Sequence, residues 1–249
     1  MNDRPAEPTG TSQRHRPVVA VEAALTELHS RIDRVEREWD HPVEITAVTK
    51  AFEPAMIDVA VRAGCRVIGE NYAQELQSKR STIEALDERP RVEFIGHLQS
   101  NKVRQIADLV DRWCTVDRPS IAAEIAKRAP GSEVLIQVNA TSEDAKNGCA
   151  PEHVAELRTR CSDLGLHPIG LLTVGPTGRP ASDAEAGFRI VRALVDELEL
   201  RVCSMGMSGD LEVAVACGST NVRVGSALFG ARPDPGTIDP VHHERDAPG

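Results

Sequence analysis

Glu44-Ile45-Thr46-Ala47-Val48-Thr49-Lys50 reads as a β-strand that stops on a lysine. Ile45, Thr46, Val48 and Thr49 are β-branched and suit a pleated, half-buried surface. Pro54 then opens a helix-like segment. A lysine that closes a strand is ordinarily a solvated charge. It gains weight only in a barrel of alternating strands and helices, where the chemistry sits at the C-terminal ends of the strands.

The chain on either side supplies that alternation. Ahead of the strand, Val21, Ala24, Leu25, Leu28, Ile32, Val35 and Trp39 share a helical face, so the spacing predicts a leading helix over 18–39. Strands are predicted at 44–49, 66–69, 92–95, 112–116, 133–138, 168–172, 202–205 and 221–224. Helices are predicted between them, near 54–63, 72–87, 100–109, 119–128, 151–164, 182–199 and 208–217. Gly64 and Gly165 mark helix ends, and Pro119 and Pro151 suit first turns. Eight strands in strict alternation imply a parallel sheet with right-handed crossovers. The expected fold is a single α/β (β/α)8 TIM barrel with an extra N-terminal helix. An open, doubly wound sheet is the alternative, but no GxGxxG follows the first strand and no GxxxxGK[ST] occurs. The expected organisation is a disordered arm over 1–17, a barrel over 18–232 and a flexible tail over 233–249. The tail's His242-His243 reads as a solvated pair.

The 249 residues hold 29 basic and 38 acidic side chains, a net charge of −9. That balance argues against a nucleic-acid or acidic-membrane binder. Two Trp, one Tyr and four Phe are too few for a base-stacking platform. No apolar run reaches the length of about 20 residues that spans a bilayer, and the first 17 residues carry no signal pattern. The six cysteines are scattered without a CxxC pair, so they read as core residues, no metal site is expected, and a cytoplasmic compartment is expected.

Barrel strands alternate inward and outward side chains. Thr46, Val48 and Lys50 share one parity, and Ile45, Ala47 and Thr49 share the other, more apolar one. In the last strand Asn221, Arg223 and Gly225 share the inward parity. An inward lysine on strand one and an inward arginine on strand eight lie on neighbouring strands once the barrel closes. Two cations there call for an anion or an electron-rich ring between them. Gly206-Met207-Ser208-Gly209-Asp210 and Gly225-Ser226-Ala227-Leu228-Phe229-Gly230 occupy the loops after strands seven and eight, the usual phosphate site of such barrels. Amine, cation and phosphate cup together match the needs of pyridoxal 5′-phosphate (PLP).

Six ordered words carry a resemblance: Ala47-Val48-Thr49-Lys50; Gly69-Glu70-Asn71-Tyr72-Ala73-Gln74-Glu75; Phe94-Ile95-Gly96-His97-Leu98-Gln99-Ser100-Asn101-Lys102; Gly170-Leu171-Leu172-Thr173-Val174-Gly175; Ser204-Met205-Gly206-Met207-Ser208; and Gly218-Ser219-Thr220-Asn221-Val222-Arg223-Val224-Gly225-Ser226-Ala227-Leu228-Phe229-Gly230. Over residues 18–232 the chain resembles the pyridoxal phosphate homeostasis protein family, related to alanine racemases. The resemblance implies a PLP fold-type III barrel with the cofactor in internal aldimine on Lys50. It implies a ring-nitrogen partner at Arg223 and phosphate donors around Ser208, Gly225 and Ser226. Asn71 lies beside the cofactor in the family pattern, and Met205 and His97 fall in motifs that line the mouth. There are departures: Ala51-Phe52 replaces the usual Thr-x after the lysine, Pro54 stands one place late, and Asn139-Ala140-Thr141-Ser142 lacks the usual Ser-Gly.

The resemblance also frames a choice between a PLP carrier and an amino-acid racemase. Two-base racemisation needs an acid/base on each face of the substrate carbon. Full-length alanine racemases draw the second base, a tyrosine, from a C-terminal β domain, and only 17 residues follow Arg232 here. The one tyrosine, Tyr72, reads as a packing or pocket residue. The expectation is therefore a protein without robust catalysis that takes part in intracellular PLP homeostasis. Its expected partners are PLP and possible recipient PLP-dependent apo-enzymes, and its expected state is a monomer or weak dimer.

Overall fold

The computed structural model describes residues 11–141, 143 and 146–231, with side chains from Pro17 onward. The arm over 1–10, the tail from Arg232 and the His242-His243 pair lie outside the described residues. Eight strands form a closed parallel barrel in chain order: β1 (Glu44–Val48), β2 (Val67–Glu70), β3 (Arg91–Phe94), β4 (Arg112–Val116), β5 (Glu133–Gln137), β6 (His167–Leu172), β7 (Val202–Ser204) and β8 (Asn221–Val224). β1 pairs with β8 through Glu44–Asn221, Ile45–Val222, Thr46–Arg223 and Ala47–Val224. Each expected strand is present, with ends displaced by about a residue, as terminal assignments usually are.

Helices α1 (Thr11–Asp33), α2 (Ala55–Arg62), α3 (Ala73–Ser78), α4 (Arg80–Glu84), α5 (Ser100–Ile106), α6 (Pro119–Arg128), α7 (Val154–Asp163), α8 (Glu185–Glu197), α9 (Leu211–Ala216) and α10 (Ser226–Phe229) ring the barrel. Three expectations need correction. The leading helix starts at Thr11 and stops at Asp33, short of Trp39; Trp39 instead packs under Gly218, where a Cβ would lie 2.9 Å from its indole. The helix expected over 72–87 is two helices broken at Lys79, whose side chain is fully buried. The segments expected at 151–164 and 182–199 open as 3-10 turns, Pro151–His153 and Ala181–Ala184.

The core has an outer and an inner part. Outward side chains of the strands meet the helices: Ile45, Ala47, Val222 and Val224 pack with Val18, Val21, Leu28 and Ile32 of α1. Ile68, Val92, Phe94, Trp113, Val134, Ile136 and Leu171 meet the remaining helices. Inside the barrel, Cys114, Leu135, Ile169 and Leu172 form a small apolar cluster. The other side of the interior is polar. Thr46 Oγ1 donates to Glu93 Oε2 at 2.9 Å, Asn221 Nδ2 donates to Thr46 Oγ1 at 2.9 Å, and Ser204 Oγ donates to Asn221 Oδ1 at 2.6 Å. Arg112 Nη1 donates to Glu93 Oε1 at 2.9 Å, and its Nη2 to Glu133 Oε2 at 2.7 Å. These contacts agree with the parity read for β1 and β8.

The cysteines are core residues, all without disulfide partners and five of them buried. Burial pushes the thiols of Cys65 and Cys161 up to about 11 and that of Cys203 to about 12. No helix among the described residues is long and apolar enough to cross a membrane. Among the described residues no group of three His, Cys, Asp or Glu side chains could hold a metal ion.

Gly170 explains one motif glycine: a Cβ there would lie 2.2 Å from the Val202 carbonyl oxygen of β7. Gly170→Ala is expected to cost about 3 kcal/mol, read as a lower urea midpoint, because the clash is with backbone. Helix α1 is tied to α9 by Arg31 Nε donating to Glu212 Oε1 at 2.7 Å. That hydrogen bond holds the Glu212 carboxyl below its ordinary 4.5. A depressed folded value contributes stability above the unfolded value, and the contribution is lost as pH falls through the folded value. Arg31→Leu is thus expected to cost under about 1 kcal/mol at neutral pH, since the pair is partly exposed. The difference from wild type, followed by thermal melts across pH, should vanish well below pH 4.5.

Candidate functional site at the barrel mouth

Lys50 stands two positions beyond Val48, the last residue of β1, and is half-buried. Its neighbours fix its setting. Thr49 is fully buried, faces the helix layer, and donates from Oγ1 to Glu70 Oε1 at 2.6 Å. Ala51 has φ +63°, a left-handed conformation that costs an L-residue about 1 kcal/mol. Its amide donates to Glu75 Oε1 at 2.6 Å. Phe52 is buried, with its ring centroid 5.2 Å from that of Phe229 in α10. The departure at Ala51-Phe52 is thus accommodated by one hydrogen bond and one aromatic contact, and the contact closes the β1–β8 seam at its upper end.

Arg223 rises inside the barrel from β8 and is 5% exposed. Nη1 donates to Ser204 Oγ at 2.7 Å and Nη2 to the Thr173 carbonyl at 2.9 Å. Both acceptors are neutral, and among the described residues no carboxylate lies within ion-pair distance of it. Burial pulls the guanidinium below its ordinary value. The register places Arg223 beside Thr46, four positions before Lys50. The two cations lie on adjacent strands but are staggered, with Arg223 the deeper of the two and turned towards β6 and β7.

The loops after β7 and β8 meet. Ser226 Oγ lies 3.3 Å from Ser208 Oγ, and the Ala227 amide donates to Ser208 Oγ at 3.3 Å. Gly225 lies against β1: a Cβ there would sit 3.3 Å from the Val48 carbonyl oxygen. The serine pair therefore hangs over the strand that leads to Lys50. Gly206 has φ +95°, and a Cβ there would fall 2.4 Å from Ala214 Cβ, so only glycine allows this turn out of β7.

On the other side of the mouth, Asn71 is half-buried after β2. Its carbonyl oxygen occupies the place of a Cβ at Gly96, 1.8 Å away, which locks the β2 and β3 loops together. His97 is 42% exposed, with Nδ1 4.0 Å from Asp117 Oδ2 of the next loop. Met205 departs from the expectation. It is fully buried in the outer core, 3.7 Å from Cys203 Sγ, so its side chain faces the helices and not the mouth. The structure thus gathers Lys50, Arg223, Ser208, Gly225 and Ser226 on the β7–β8–β1 side, with Asn71 and His97 on the β2–β3 side.

Four neighbours of the site escaped the sequence reading: Ser204 and Thr173, which receive Arg223, and Glu75 and Lys79, which lie behind Lys50. Glu70, a residue of the second motif, accepts from Thr49 Oγ1 and pairs with Lys79. One signal for Lys79 was present: it shares a helical face with Leu76 and Ile83, both fully buried.

With the geometry in place, comparison with known proteins is direct. Residues 24–233 match the family model described as the alanine racemase N-terminal domain. The chain is 40% identical over 197 residues to the pyridoxal phosphate homeostasis protein of Pseudomonas aeruginosa, covering 76% of this chain and 85% of that one. It is 32% identical over 242 residues to the human protein of the same name, covering 86% and 87%. PipY of Synechococcus elongatus, solved without PLP, superposes with a TM-score of 0.75 at 30% identity, over 84% of this chain and all of PipY. PipY with PLP bound gives 0.71 at 29%, over the same shares. A Selenomonas ruminantium lysine decarboxylase, 18% identical with a TM-score of 0.64 over 85% of this chain and 60% of that one, shares the fold alone. By these matches, and by the barrel that carries them, the chain belongs to the pyridoxal phosphate homeostasis protein family.

Proposed function

We propose that the chain binds PLP at the barrel mouth, attached through its aldehyde carbon to Lys50, and serves PLP homeostasis without robust turnover. The observation that carries this reading is Arg223: a buried cation with only neutral protein acceptors, set below a strand-end lysine. The likeness to PipY, which has been solved with PLP bound, supports it.

The donor set fits the cofactor. Lys50 stands four positions beyond Thr46, the residue level with Arg223, so at about 3.3 Å per extended residue their levels differ by at most about 13 Å, room for a substituted pyridine between two long side chains. Two of the five N–H donors of Arg223 serve Ser204 and Thr173, so others are available to a ring nitrogen. Ser208 and Ser226 offer hydroxyls to a phosphate, and Gly225 lets the backbone approach closely. Asn71 and His97 border the same opening.

When bound, PLP supplies an aldehyde that holds amines and a ring that accepts electrons. Arg223 can donate a hydrogen bond but gives up no proton, so a ring nitrogen facing it stays unprotonated and withdraws electrons weakly. That favours holding the cofactor over driving chemistry on it. The buried thiols suit a reducing, cytoplasmic setting, and PLP-dependent apo-enzymes are the natural recipients. The competing reading is an amino-acid racemase. Tyr72, the sole tyrosine, is 53% exposed at the start of α3, so it is not a buried second base.

The full chain incubated with PLP is expected to gain a visible absorption band, and borohydride should fix the label on the peptide containing Lys50. Lys50→Ala should remove the label from that peptide. A chain that takes up no PLP would overturn the proposal. Alanine racemisation is expected to stay below about 1 s⁻¹, the lower edge of ordinary enzyme turnover. Faster turnover, measured by chiral chromatography, would make it a racemase.

A further inference from the structure

Lys79 stands at the break between α3 and α4, and its side chain is buried behind the end of β1, 1% exposed. A buried ammonium is costly unless its donors are satisfied. All three are: Nζ donates to the Thr49 carbonyl at 2.8 Å, to Glu70 Oε1 at 2.8 Å and to Glu75 Oε1 at 2.5 Å. The two carboxylates return to the same piece of chain, since Glu70 Oε1 accepts from Thr49 Oγ1 and Glu75 Oε1 accepts from the Ala51 amide.

The Thr49 carbonyl and the Ala51 amide belong to the two peptide groups that flank Lys50. Both therefore end on one buried cluster, from the face of the strand opposite the lysine side chain. Docking a helix on a barrel requires no such contacts; apolar packing of Leu76 and Ile83 already does that. The positive φ of Ala51 is the conformation that this grip sustains.

We infer that Lys79 is a positioning residue for Lys50: with Glu75 it fixes the two peptide planes that carry the lysine side chain into the barrel mouth, and so sets where its amine stands. The inference rests on the reading of Lys50 as the cofactor-bearing amine. It adds a residue that touches neither cofactor nor substrate and acts from outside the barrel wall.

Removing Lys79 alone strands two carboxylates, one of them Glu70, whose Oε2 is already buried without a hydrogen-bond partner. The test therefore uses Lys79→Met combined with Glu70→Gln, and separately Glu75→Leu and Glu75→Gln, all in the full chain. Glu75 is 22% exposed, the more accessible of the two carboxylates. Three quantities are read: the rate at which acetic anhydride labels Lys50 in cofactor-free protein, the release rate of PLP after loading, and the melting temperature. Glu75→Leu and the double variant should change Lys50 labelling and PLP release by about tenfold, the usual size of a supporting-shell effect. Glu75→Gln, which keeps an acceptor for the Ala51 amide, should stay near wild type. If the double variant does not fold, the Glu75 pair decides. Wild-type labelling and release in Glu75→Leu, with only a lower melting temperature, would overturn the inference and leave the PLP reading intact. A wild-type chain that takes up no PLP, while Lys50 labelling still responds to Glu75→Leu, would remove the cofactor and keep the positioning.

Discussion

The placement of Arg223 depends on one hydrogen-bonded chain that crosses the barrel interior. Arg223 donates to Ser204, Ser204 to Asn221, Asn221 to Thr46, and Thr46 to Glu93, while Arg112 closes the far end on the other Glu93 oxygen. Every link runs towards Glu93, so each bond polarises the next in the same sense. A buried guanidinium without a carboxylate of its own is expensive. This relay gives it one at a distance, and Glu93 is among the charges that favour the cationic form of Arg223 against its burial. Half of the interior is thus committed to polar contacts where many barrels use branched apolar layers.

β1 joins the two sides of the design. Its inner face contributes Thr46 to the relay and leads up to Lys50, while its outer face contributes Thr49 to the ion cluster with Glu70 and Lys79. One strand therefore couples two buried polar systems that never touch. The mouth is bounded by close backbone approaches, one that excludes a side chain at Gly96 against Asn71 and a tight one at Gly225 against Val48. These contacts leave the loop positions little freedom, which is what a preformed ligand site requires.

The sequence carried the barrel because its signals were repetitive: eight short strand-like runs separated by seven helical periods, with glycines ending α2 and α7. Arg223 was legible from parity, which holds along an unbroken strand. Motif membership misled at Met205, one residue past the end of β7: it shares the outward parity of Cys203, opposite to Ser204, and its side chain faces the helices. Lys79 was missed for a different reason. A lysine in a helix is read as solvated, and only the placement of Glu70 and Glu75 around it makes burial affordable. The stagger between Lys50 and Arg223 is a property of register, which no single strand records.

The docking of α1 has a consequence for the order of assembly. Val21, Leu28 and Ile32 cover the outside of the β1–β8 seam together with Leu211, Val222 and Leu228. The first helix and the first strand thus each find one of their partners in the last fifth of the chain. Until β8 has been synthesised, α1 keeps an apolar stripe uncovered and β1 keeps an open edge, both hazards for association between nascent chains. Closure is a contact of very high sequence separation, which makes it slow relative to the local strand–helix units that precede it.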